Sequence, residues 1–340
     1  MITTGTAPLD GPTPTGGPTD PTDPTAEPDA LPTDATPPVR RVRWAAVLTF
    51  LAVAYGGGWL IALPLWRSGG LSNPLFLPLG LAVMATPTLA ALVATFAVVR
   101  PAHPARFLGL SPVRPWRRTL GYALLGFLGV QVLGVIAIVL AWALGVTPLL
   151  VSGGAWSSLV SMQLLGLLVT VAALGEEIGW RGFLLPALRP LGTGPALVLS
   201  GLAWGPWHAP LVLLGYNYGT THPSALIMMT VTTILMGVLF GWLRMRSASV
   251  YPPAFAHGAL NASGGTLLAA FAPAAGVAPS VLGWVGWLLL AVVIAALVVT
   301  RASAPSRPGP AASCSRTRSP RSWWRPSAAS PTVPACWTRR

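Results

Sequence analysis

Glu176 and Glu177 are the only acidic residues in this chain after position 34, and they sit inside a long apolar run. The run from Leu159 to Leu188 reads as one helix, interrupted by Gly175-Glu176-Glu177-Ile178-Gly179-Trp180-Arg181-Gly182 and resuming at Phe183-Leu184-Leu185. Ionisable groups at membrane depth cost at least about 2.5–3.5 kcal/mol each on insertion scales, so they are paired or functional. Glu177 and Arg181 are four apart, share a helix face and can neutralise each other, whereas Glu176 points elsewhere and has no local partner. A desolvated carboxylate beside a watery cleft is suited to general-base work. The bland alternative is a charge cluster that anchors the helix at the interface.

The four histidines divide in two. His103, between Pro101 and Pro104, and His222, in the polar stretch from Asn217 to Ser224, read as solvated loop residues. His208 lies in Trp204-Gly205-Pro206-Trp207-His208, which puts Trp204 and His208 on one face of an apolar span. His257 and Asn261 likewise stand one turn apart in another span. Either histidine alone could simply be hydrogen-bonded to a neighbouring helix. Together, the membrane domain's acids, two of its histidines and a buried amide fall on three separate helices that a bundle can bring to one cavity. Glu plus His can activate a water for attack on a carbonyl, while a second His and an Asn donate to the developing oxyanion.

The elements that must position these residues are long and apolar. Of 340 residues, 53% are hydrophobic and 9% charged, and the mean hydropathy is +0.65, more apolar surface than a soluble fold can hide. A membrane-crossing helix needs roughly 20 apolar residues. Eight segments qualify, near 44–66, 75–99, 119–145, 160–186, 194–215, 225–243, 250–272 and 280–300. The expected fold class is therefore all-α, a polytopic membrane bundle of about eight transmembrane helices with disordered termini. All 21 basic residues are arginine, and they cluster in alternate connections: Arg40, Arg41 and Arg43, then Arg100 to Arg118, Arg189, Arg244 and Arg246, and Arg301. Only Arg67 breaks the alternation, so the positive-inside rule places both termini in the cytoplasm.

The net charge of +13 forms no stripe, which argues against nucleic acid as a partner. Residues 1–38, with Asp10, Asp20, Asp23, Glu27, Asp29 and Asp34 among Thr, Pro and Gly, read as a disordered acidic arm and not as a signal peptide. Residues 39–300 form the membrane domain. Residues 301–340 read as a disordered basic tail, which also holds both cysteines, Cys314 and Cys336, so no disulfide framework is written here.

Glu176-Glu177-x-x-x-Arg181, then Trp204-x-x-x-His208, then His257-x-x-x-Asn261, on successive helices, resembles the CPBP family (CAAX protease and bacteriocin-processing, or Abi) of intramembrane endopeptidases, related to the CAAX prenyl endopeptidases. The motifs cover residues 176 to 261, and one departs from the pattern: the second commonly begins with Phe and here has Trp204. The resemblance implies an eight-helix fold, a catalytic set of Glu176, His208, His257 and Asn261 with Glu177 and Arg181 in support, and a bacterial plasma-membrane location. It also implies a substrate cleaved near its C-terminus or near the membrane, in some cases prenylated. Members are often called metalloproteases, and Glu176, His208 and His257 could ligate Zn²⁺ as a His₂Glu set. The metal-free glutamate mechanism is preferred, because Asn261 suits an oxyanion donor better than a zinc ligand.

An intramembrane endopeptidase acting on a peptide or protein substrate within the lipid bilayer is the resulting expectation. Two alternatives stay open: a proton-coupled transporter that uses the Glu/His cluster as a relay, and a non-catalytic scaffold or immunity protein. No inverted repeat supports the transporter, since the acids have no counterpart in the other half of the chain.

Overall fold

The computed structural model describes residues 41–302 apart from Pro112, Arg114, Ala274 and Ala275. The acidic arm expected over 1–38, and all but the first two residues of the tail expected over 301–340, lie outside the described residues. Among those described, the secondary structure is helical throughout, with no strand. The all-α membrane bundle is what the structure has.

Each expected apolar segment is helical. The helices are α1 (Trp44–Arg67), α2 (Phe76–Val93), α3 (Pro104–Phe107), α4 (Trp116–Ala143), α5 (Ala155–Glu177), α6 (Leu185–Leu188), α7 (Thr193–Trp207), α8 (Ala209–Val212), α9 (Ser224–Ser247), α10 (Tyr251–Phe271) and α11 (Trp284–Ala302). A π-helical turn, Ala94–Val99, extends α2, and another, Ile178–Leu184, joins α5 to α6. By length and composition, five are able to cross a membrane: α1, α2 with its π turn, α4, the continuous helix Ala155–Leu191, and α9. Their outer faces are apolar and open, as lipid requires: Leu164, Leu168 and Val171 on α5 are 68–73% exposed.

The other three expected spans depart from an ideal apolar rod. The one near 194–215 is divided between α7 and α8 at His208, because Pro210 has no N–H to continue the helix and its ring meets the carbonyl a turn earlier. α10 is long enough, at 21 residues, but carries His257, Asn261 and Ser263 with three glycines. The apolar part of α11 runs only over Trp284–Thr300.

Small residues set how closely the site-bearing helices approach. α10 packs against α5 and α4, α7 against α9, and α2 against α5. At Gly258, next to His257, a methyl group would overlap Thr170 of α5, and at Gly179 it would overlap Pro87 of α2. Gly201 and Gly205 on α7 leave 2.6 Å between a would-be methyl and the backbone of Ile234 and Thr230 on α9. Contacts this close let short side chains on different helices meet.

Candidate active site

The π turn that follows Glu177 widens the helix, so that Trp180, Arg181, Phe183 and Leu184 are buried together instead of alternating between core and lipid. Just before it, the Thr88 hydroxyl of α2 donates to the Gly175 carbonyl at 2.5 Å and ties this end of α5 to its neighbour. Glu176 and Glu177 are consequently held in the core, 2% and 0% exposed.

The two carboxylates have different surroundings. Glu177 Oε1 accepts from Arg181 at 2.8 Å and from His257 Nδ1 at 2.9 Å. A carboxylate has no proton to give to that imidazole nitrogen, so Nδ1 carries the hydrogen and Nε2 becomes the free position of His257. Nε2 lies 3.9 Å from Glu176 Oε1. The other oxygen, Glu176 Oε2, accepts from the Trp204 indole N–H at 2.8 Å. Glu176 has no partner on its own helix, as expected, and takes both of its neighbours from α7 and α10.

Arg181 is stacked on Trp204, its guanidinium carbon 4.2 Å from the ring centroid, with Phe240 of α9 at 5.2 Å. Glu177 Oε2 and the Arg181 NH2 group are buried with no hydrogen-bond partner among the described residues. Two ionised carboxylates against one guanidinium would leave one negative charge in the core.

His208 joins through Trp204. Its Nδ1 meets the Trp204 carbonyl at 2.9 Å, so that nitrogen carries the proton and Nε2 keeps its lone pair. The imidazole lies against Trp204 and Trp207, with ring centroids at 5.6 and 4.9 Å. Asn261 corrects one expectation: the amide is exposed, not buried, and has no hydrogen bond among the described residues. The physical reason lies in the register of α10. His257, Asn261 and Gly265 form one stripe, buried at His257 and open at the next two turns, so the imidazole lies one turn from exposed surface. His103 and His222 are exposed.

Sequence reasoning missed three features. The Glu177–His257 bond joins residues 80 apart and has no local signal. Phe240 on α9 packs against both Trp204 and His257 but reads as an ordinary apolar residue. Tyr216, in the turn after α8, rests on Phe76, and desolvation, then the nearby Glu176 carboxylate, push its phenol above its usual range. The indole N–H of Trp204 did have a signal, namely Trp where Phe is common.

As placed, Glu176, His208 and His257 do not fit a His₂Glu metal site. Among the described residues no three His, Cys, Asp or Glu side chains gather where they could hold an ion. One Glu176 oxygen is also taken by the indole.

Residues 156–263 match the family model described as Rce1-like, type II CAAX prenyl endopeptidase Rce1-like. The matched stretch runs from the start of α5 into α10 and contains all three motifs, so the resemblance drawn from their spacing is borne out. No curated protein matches the chain. This stretch is therefore similar to a family of proteases.

Proposed function

We propose that this membrane protein is an intramembrane endopeptidase that hydrolyses a peptide bond near the C-terminus of a membrane-associated or prenylated substrate, with Glu176 as the base. The observation that carries the reading is the pair Glu176 Oε1 and His257 Nε2, 3.9 Å apart at the buried end of an open stripe. In this reading a water rests against Glu176 Oε1 and the His208 Nε2 lone pair. Glu176 takes its proton as the water oxygen bonds to the scissile carbonyl carbon, and the carbonyl electrons move onto oxygen. The oxyanion receives hydrogen bonds from the protonated imidazole of His257, at Nε2–H, and from the Asn261 amide. Collapse breaks the C–N bond, and Glu176 returns its proton to the departing amine.

Glu177 and Arg181 serve by orienting His257. Donation of Nδ1–H to Glu177 fixes the ring so that Nε2 faces Glu176, and the ion pair keeps Glu177 charged in the core. The test is Glu176→Ala in the full-length protein in detergent, with an internally quenched, farnesylated C-terminal peptide as probe. Cleavage is expected to fall to background with the thermal melt retained. Retained cleavage would overturn the assignment of Glu176.

A further inference from the structure

Trp204 touches four side chains of the site, Glu176, Arg181, His257 and His208. Its N–H donates to Glu176 Oε2 at 2.8 Å, its ring face carries the Arg181 guanidinium at 4.2 Å, its ring stands edge-on to His257 at 5.1 Å, and its carbonyl holds His208 Nδ1 at 2.9 Å. The ring is 2% exposed and wedged against Phe240, so it is not free to turn. A phenylalanine could supply the ring face and the carbonyl. It could not supply the N–H.

We infer that the Trp204 indole N–H gives the two oxygens of Glu176 separate tasks, anchoring Oε2 and leaving Oε1 as the atom that takes the proton from water. The inference deepens the proposed function and rests on Glu176 being the base. Without an anchor the carboxylate can rotate about its last bond and present either oxygen, because that torsion is broad. With Oε2 bound and the indole clamped, Oε1 is held toward His257 Nε2. Trp204 is thus a positioning residue: it holds the reacting group and does not itself meet the substrate.

The test replaces Trp204 in the full-length protein with β-(3-benzothienyl)alanine, which keeps the bicyclic shape and exchanges N–H for sulfur. A hydrogen bond to a charged group contributes about 1.5–3 kcal/mol, so kcat on the farnesylated peptide is expected to fall by roughly 10-fold to 150-fold. KM and the melting temperature should stay near those of the wild type. A kcat within about twofold of wild type overturns the inference. If Glu176→Ala is inactive at the same time, the base assignment survives and only the role of Trp204 falls. A second readout needs no turnover: the wild type minus Trp204→Phe difference in ultraviolet resonance Raman isolates this indole. Its N–H mode is expected at a strongly hydrogen-bonded position that is lost in Glu176→Ala, and a mode unchanged between the two backgrounds also overturns the inference.

Discussion

Among the described residues, two of the polar groupings between helices of this bundle are built on opposite plans. Between α4 and α5, Gln131 and Gln163 face each other as a closed amide pair, each donating to the other's oxygen, at 3.2 and 2.7 Å, with spare N–H groups on the carbonyls of Phe127 and Leu159. At the far end of α5, Glu176, Glu177, Arg181 and His257 make short bonds too but leave capacity unspent. Glu176 Oε1 has His257 at 3.9 Å, and Glu177 Oε2 and the Arg181 NH2 group have no hydrogen-bond partner among the described residues. A saturated amide pair fastens two helices and has nothing left to offer a substrate. A charged cluster with open valences costs more to bury, and those open positions are where chemistry can take place.

The contrast is sharpest under Glu176→Gln, which keeps the shape and an acceptor for Trp204 but removes the base. Cleavage of the farnesylated peptide is expected to fall by about 10²–10⁴-fold with little change in the melt, measured by turnover and by thermal denaturation in detergent. Arg181→Met attacks the other side of the cluster by stranding Glu177 in the core, and a loss of about 3–5 kcal/mol in unfolding free energy is expected. If that variant melts like the wild type, Glu177 is not held by an ion pair.

Gly258→Val tests whether the close approach of α10 to α5 sets the position of His257. The added methyls meet Thr170, so a destabilisation of about 1–3 kcal/mol should accompany a clear drop in turnover. The closed pair should respond weakly: Gln131→Leu together with Gln163→Leu is expected to change stability by about 1 kcal/mol or less and to leave turnover unchanged. A large loss of activity there would end the distinction between fastening and reacting groups. Dialysis against chelator should have no effect on turnover, and an activity lost to chelator and regained with zinc would restore Glu176, His208 and His257 as a ligand set.

Much of the architecture was legible in the chain. Each of the eight expected apolar segments is helical, because in lipid a backbone has few ways other than a helix to satisfy its own N–H and C=O groups. The ion pair of Glu177 with Arg181 was legible too, since residues four apart meet on a helix whatever surrounds it. The break at His208 has its signal in Pro206 and Pro210, each of which removes a hydrogen bond from the helix. The exposure of Asn261 had none: a polar residue within an apolar helix reads as buried until the neighbours that could cover it are known.

The sequence by itself determined which titratable side chains stand within the apolar spans, because lipid leaves so few of them there. It determined the helices that carry them for the same reason, through the periodic demand of an apolar solvent. Only the tertiary structure decided which atoms are free. His257 turned its Nδ1 to Glu177, His208 its Nδ1 to the Trp204 carbonyl, and Glu176 gave one oxygen to an indole 28 positions away. Those choices depend on contacts between α5, α7 and α10, and such contacts are set by how nearly glycine lets two backbones meet, a quantity with no local signature in the chain.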